Sequence, residues 1–134
     1  MTQYCGREFL LKIEDPDTPG SYIDIGGFVT NSLDETDPPV DGTTKLDGGH
    51  VVYVAGCGTR TTVISGDGIV SDDDGFAELL AQFRARTQPN VQLVSTLETI
   101  TGAAHIENLN RTGAEGDKLT FTTTLHISGA PTVT

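Results

Sequence analysis

The chain has 134 residues, 36% of them hydrophobic and 20% charged, with 16 glycines; this describes one folded domain, residues 1–134, able to bury its own core rather than a disordered segment. Nineteen acidic against eight basic residues give a formal net charge of −11, a surface that repels phosphate and excludes nucleic-acid reading or packaging by direct contact. The opening MTQYCGREFLLKIE lacks the basic start and long apolar run of a signal peptide. No segment approaches the roughly 20 apolar residues of a membrane span, so synthesis and folding in the cytoplasm without membrane association are expected.

In chain order, Glu8–Glu14 is an apolar run of strand length with Phe9, Leu11 and Ile13 on one side and Leu10 on the other, able to line a core on both faces. Asp15–Gly20 is a turn punctuated by its prolines, and Tyr22–Ile25 and Phe28–Leu33 are short strands hinged at Gly26-Gly27. Asp34–Gly49 (DETDPPVDGTTKLDGG) is a polar loop of unusual length, expected to be disordered in the free subunit or to act as a binding arm. Val51–Ala55 is apolar, Gly56-Cys57-Gly58 can bend freely, and Arg60–Ile64 resumes as a strand before a glycine turn at Gly66–Gly68.

The spacing then predicts a helix over about 73–86. Ser71 and Asp74 resemble a capping box, and three aspartates sit where a helix start carries partial positive charge. Phe76, Leu79, Leu80 and Phe83 form one apolar stripe whose burial contributes roughly 6–12 kcal/mol before entropy. Arg84 and Arg86 favour the last turn, and Pro89 ends the helix. Three strands follow. Val91–Leu97 puts Val91, Leu93 and Leu97 on one face, and Ala103–Leu109 is anchored by Ile106. Lys118–Ile127 sets Leu119, Phe121, Leu125 and Ile127 against a polar, nearly uncharged face of Lys118, Thr120, Thr122, Thr124 and His126. The expected architecture is mainly β: a β-sandwich or barrel with one α-helix (about 73–86) packed on the outside and a long polar arm (about 34–58).

Chemistry finds little footing. His50, His105 and His126 belong to no triad motif, and Ser65 in Ile64–Gly68 is not a nucleophile elbow, because Val63 stands where that motif needs glycine. Asp15, Asp17 and Asp24 fail the spacing of a calcium loop, and Asp72–Asp74 is better read as a helix cap. Cys5 and Cys57 lack metal-ligand spacing and read as free thiols, and Gly66-Asp67-Gly68 has no phosphate-loop lysine. Neither enzymatic activity nor a cofactor or metal is expected.

Taken together, the opening REFLLKIE strand, the YIDIGGFVTNSLD strand pair, the polar arm, the VISGDGIVSDDDGFAELLAQF cassette and the closing KLTFTTTLHISGAPTVT follow an order that resembles the tail tube (major tail) proteins of long-tailed bacteriophages and of phage-like gene transfer agents. The resemblance implies a virion structural protein, assembled in the bacterial cytoplasm, that self-assembles into hexameric rings stacked as a tube. An inner sheet would join neighbouring subunits around an acidic channel through which DNA passes without specific binding. Tape measure and tail terminator or distal tail proteins would be its partners. The arm would contact neighbouring rings, with Asp34, Glu35, Asp37, Val40, Asp41, Lys45, Asp47, Val51 and Tyr53 as contact candidates. A tube component of a contractile injection device is the nearest alternative. A β-sandwich ligand-binding module fits less well, because the chain has no tryptophan and three tyrosines, and a small hydrolase fits least.

Overall fold

The structure, a computed structural model, describes residues 3–134; Met1 and Thr2 of the expected domain lie outside the described residues. Nine strands and one helix follow the order β1 (Leu10–Glu14), β2 (Tyr22–Asp24), β3 (Phe28–Thr36), β4 (Val40–Asp41), β5 (Tyr53–Val54), β6 (Thr61–Ile69), α1 (Asp74–Ala85), β7 (Asn90–Val94), β8 (Thr99–Thr112) and β9 (Thr120–Val133). Seven strands form one antiparallel sheet in the order β2-β1-β7-β8-β9-β6-β3, and β4 pairs only with β5.

That strand order forces the sheet to curl. Its two edge strands, β2 and β3, are consecutive in sequence and separated only by Ile25, Gly26 and Gly27. Six inter-strand steps of ~4.8 Å would hold the edges of a flat sheet ~29 Å apart, whereas the link from Asp24 to Phe28 reaches at most ~14 Å. The sheet therefore curls until the start of β3 returns beside β1 and β2, giving the barrel-type form of the expected architecture without a strand ladder across the seam. Ile25 N–H donates to Leu11 O (3.1 Å) and Ile69 N–H to Gly27 O (2.8 Å), so the link bonds to both sides of the seam. The Asn31 amide crosses it as well, donating to Phe9 O at 2.8 Å.

Inside the roll lies one core that includes Leu11, Ile13, Ile64, Val91, Leu93 and Leu125. Phe121 of β9 stands at its centre, edge-on to Phe28 (5.2 Å between ring centroids) and tilted against Phe76 of α1 (4.9 Å). One polar side chain is fully buried among them: Thr123 donates its hydroxyl to Asn108 O at 2.9 Å, beside the bulge between Ile106 and Asn108.

Helix α1 packs against β1, β2 and β8. Phe76 and Leu79 are buried, while Leu80 and Phe83 pack partly covered at the margin of the core, so the whole predicted stripe faces the sheet. The cap differs from the expected Ser71–Asp74 box. Asp73 is the N-cap; its Oδ2 accepts from Phe76 N–H at 3.4 Å and from Gly26 N–H at 2.6 Å. One carboxylate thus ends the helix and holds the seam. At the other end Arg86 takes the left-handed conformation (φ 60°) that closes the last turn, and the chain reaches β7 through Pro89.

Several sequence expectations are corrected. Gly66–Gly68 is not a turn: β6 runs straight through it. A Cβ on Gly66 would stand 2.5 Å from the Phe28 ring, and one on Gly68 would stand 2.1 Å from Gly27 O, so these glycines let the β2–β3 segment close against β6. The opening run is not buried on both faces, since Leu10 is exposed and Gly6–Glu8 forms a 3-10 turn. Leu97 lies in the turn after β7 and is exposed, as is Leu119 before β9. The polar loop is shorter than expected, because Asp34–Thr36 continue β3 against β6.

Two measurements separate these readings. Were Gly66 and Gly68 a flexible hinge, alanine would stabilise the fold by roughly 0.4–1 kcal/mol. The close approach instead predicts that Gly68→Ala destabilises by about 1–3 kcal/mol in urea unfolding, and more than Gly66→Ala, whose obstacle is a movable ring. Asp73→Ala is expected to cost about 1–3 kcal/mol, since it removes the cap and strands Gly26 N–H. Asp72→Ala is expected to change stability by no more than about 0.5 kcal/mol.

Candidate assembly surfaces

The residues that could have carried chemistry are dispersed or already occupied. His126 Nε2 lies 3.3 Å from Glu107 Oε2 and faces His105 across the β8–β9 ladder, while His50 stands apart on the arm. Ser65 lies between strands on the polar face. Among the described residues no group of three or more histidine, cysteine or acidic side chains is arranged to hold a metal ion. Cys5 and Cys57 are free and exposed. No helix of the described residues is long and apolar enough to cross a membrane.

Two surfaces stand out instead. The first is the arm between β3 and β6. It is an ordered hairpin rather than a structureless loop: Val40 and Asp41 pair with Val54 and Tyr53, and Gly42 N–H donates to Val52 O at 2.8 Å. Its tip is a 3-10 turn, Lys45–Asp47, closed by a reciprocal cap in which Thr44 N–H donates to Asp47 Oδ2 (2.6 Å) and Leu46 N–H to Thr44 Oγ1 (3.3 Å). The Thr43 hydroxyl and, next to it, the Thr43 backbone N–H, 2.8 Å from Asp41 Oδ1, hold the Asp41 carboxyl below the usual carboxylate range. The arm is therefore self-bonded along its length, yet none of its apolar side chains is buried. Val51, Val52, Tyr53 and Val54 are all exposed, and Leu46 at the tip is 96% exposed.

The nine contact candidates named from the sequence do not form one patch. Asp37, Val40, Asp41, Lys45, Asp47, Val51 and Tyr53 are on the hairpin, whereas Asp34 and Glu35 belong to the main sheet. Sequence reading passed over Leu46, Val52 and Val54. The available signal was an apolar VVYV run inside an otherwise polar insert, which resembles a core strand but has no sheet to join.

The second surface is the sheet face turned away from the core. Register places Thr122, Asp67 and Thr30 in one row across β9, β6 and β3, and Thr124, Ser65 and Ser32 in the next. Asn110 and Thr112 of β8 extend it opposite Thr122 and Thr120. Across β3, β6, β9 and the Ala104–Thr112 part of β8, this face carries Asp34, Asp67 and Glu107 but neither lysine nor arginine. β3 bounds it with a nine-residue strand that pairs with β6 on one side only.

No curated protein sequence matches the chain. Among solved structures, it is similar to a chain from the tail of an empty gene transfer agent particle with C6 symmetry, at 22% identity and a TM-score of 0.92, covering 98% of this chain and 99% of that one. It is similar to the SPP1 tail tube at 11% identity and a TM-score of 0.78, covering 98% and 78%. It is also similar to a chain of the anti-feeding prophage baseplate at 15% identity and a TM-score of 0.71, covering 100% and 97%. At these identities the likeness speaks to the fold; the family rests on the sequence itself, whose residues 3–133 match the family described as phage tail tube protein. The chain belongs to that family and is a structural component of virion tails, not an enzyme.

Proposed function

We propose that six copies of this chain close into a ring, and that rings stack into the hollow tail tube of a phage or gene transfer agent. The observation that carries this reading is the one-sided sheet. One face is spent on the core, and the other is broad, polar and free of cations up to an unpaired edge strand. Such an edge on a soluble monomer invites pairing with another chain, and closure of strands into a ring removes it. The C6 symmetry of the similar gene transfer agent tail supports six as the ring number.

In this reading the polar face lines the channel. Its hydroxyls and amides are wetted, and its carboxylates repel phosphates over the ~8 Å screening length of physiological salt. DNA then passes without sticking, which gives the net charge of −11 a role beyond solubility. Tape measure, terminator and distal tail proteins would complete the tail at its inside and its ends. The similar anti-feeding prophage baseplate chain keeps a second reading open, a tube subunit of a contractile injection device.

Purified protein brought to high concentration should form hollow tubes of uniform bore in negative stain; persistent monomers, with or without added tail proteins, contradict the proposal. Thr122→Arg adds a cation to the exposed face without touching the core. Tubes of this variant are expected to retain duplex DNA at low salt and release it as salt rises. Indifference of these tubes to DNA would remove the channel from this face.

A further inference from the structure

Large exposed apolar side chains gather in two places among the described residues. One is the convex arm just described. The other is a groove of about 450 Å³ between the N-terminal segment, the start of β3 and the turn after β7, lined by Tyr4, Cys5, Phe9, Val29 and Leu97. Val29 is 72% exposed and Leu97 67%, so none of the described residues fills it. The groove is fixed rather than loose. The Asn31 amide ties β3 to Phe9 O at 2.8 Å, and the Thr96 hydroxyl donates to the Glu8 carboxylate on the far wall.

We propose that this groove is the receptor for the arm of a second copy of the chain, with Leu46 at the hairpin tip as the inserted side chain. The proposal rests on the tube reading above and names the surface the arm meets on its neighbour. Two observations favour a second copy as occupant.

The two surfaces differ in shape and share their chemistry, so contact between them is head-to-tail and propagates instead of closing on itself. β3 keeps them apart within one subunit, because Val29 is near its start and the arm leaves from its end, about 26 Å further along an extended strand. Arg7 and Glu8 flank the groove with opposite charges, so the match offered to the tip is apolar.

The size of the contact explains when it would form. A hairpin tip in this groove covers far less than the ~800 Å² per partner of a stable pair. One such contact leaves free subunits apart, whereas six repeated around a ring act together.

The test uses the full chain with Leu46→Cys and Cys57→Ser, leaving Cys5 in the groove as the only other cysteine. Assembled tubes treated with copper phenanthroline in air should give a ladder of covalent multimers on a non-reducing gel, and the ladder should vanish when Cys5→Ser is added. Tubes that form but yield no ladder place the arm elsewhere and overturn the proposal. Failure of the wild-type chain to form tubes at all overturns the tube reading itself, and this proposal with it. In parallel, Leu46→Asp should leave the thermal unfolding transition unchanged and raise the critical concentration for assembly by roughly tenfold or more. Val29→Asp should do the same. Normal assembly by either variant counts against the proposal.

Discussion

The three-residue link Ile25–Gly27 is the constraint on which the rest of the subunit depends. It joins the two edges of a seven-stranded sheet, and no flat arrangement of those strands can satisfy it. What the link asks for, the neighbouring residues supply. Gly27 adopts φ 86° with Ile69 O where a Cβ would be, and Gly68 leaves room for Gly27 O. Asp73 accepts the Gly26 N–H with the same carboxylate that starts the helix. The seam, the helix and the Phe28–Phe121–Phe76 aromatic run are thereby one cooperative unit.

Rolling the sheet divides its residues by task. The inner face and the helix stripe make a core small enough for one domain, and they leave the outer face of β3, β6, β8 and β9 unburdened by folding. That outer face is threonine-, serine- and asparagine-rich, β-prone and wettable. The arm stands outside both. It is held by its own hydrogen bonds and carries apolar side chains that do nothing for the isolated subunit. The fold is thus settled within the chain, and among the described residues the outer edge of β3 and the apolar side chains of the arm are left without a partner.

Features whose causes are local were legible in the sequence. The helix was, because Phe76, Leu79, Leu80 and Phe83 repeat at its period and all face the sheet. The two faces of β9 were as well, apart from Thr123, whose hydroxyl is buried only because Asn108 O sits opposite it. Features set by distant partners were not. Gly66 and Gly68 read as a turn until Phe28 and Gly27 are seen pressed against them. The cap was placed two residues early, at Ser71 instead of Asp73, because the second donor that Asp73 serves, Gly26 N–H, is 47 positions away in the chain. The arm's extent was misjudged where Asp34–Thr36 pair with β6, and its apolar run gave no sign of being uncovered. The groove joins three segments remote in sequence and left no local trace.

The central claim is that the polar face of this sheet surrounds a channel in a six-fold tube. Helical reconstruction by cryo-electron microscopy of tubes grown from the purified chain tests it most directly. The account predicts six subunits per ring, with Thr122 and Thr124 of β9 facing the lumen and the edge of β3 paired to the next subunit. A tube with that strand face turned outward, or a ring closed by other contacts with β3 left bare, would contradict it.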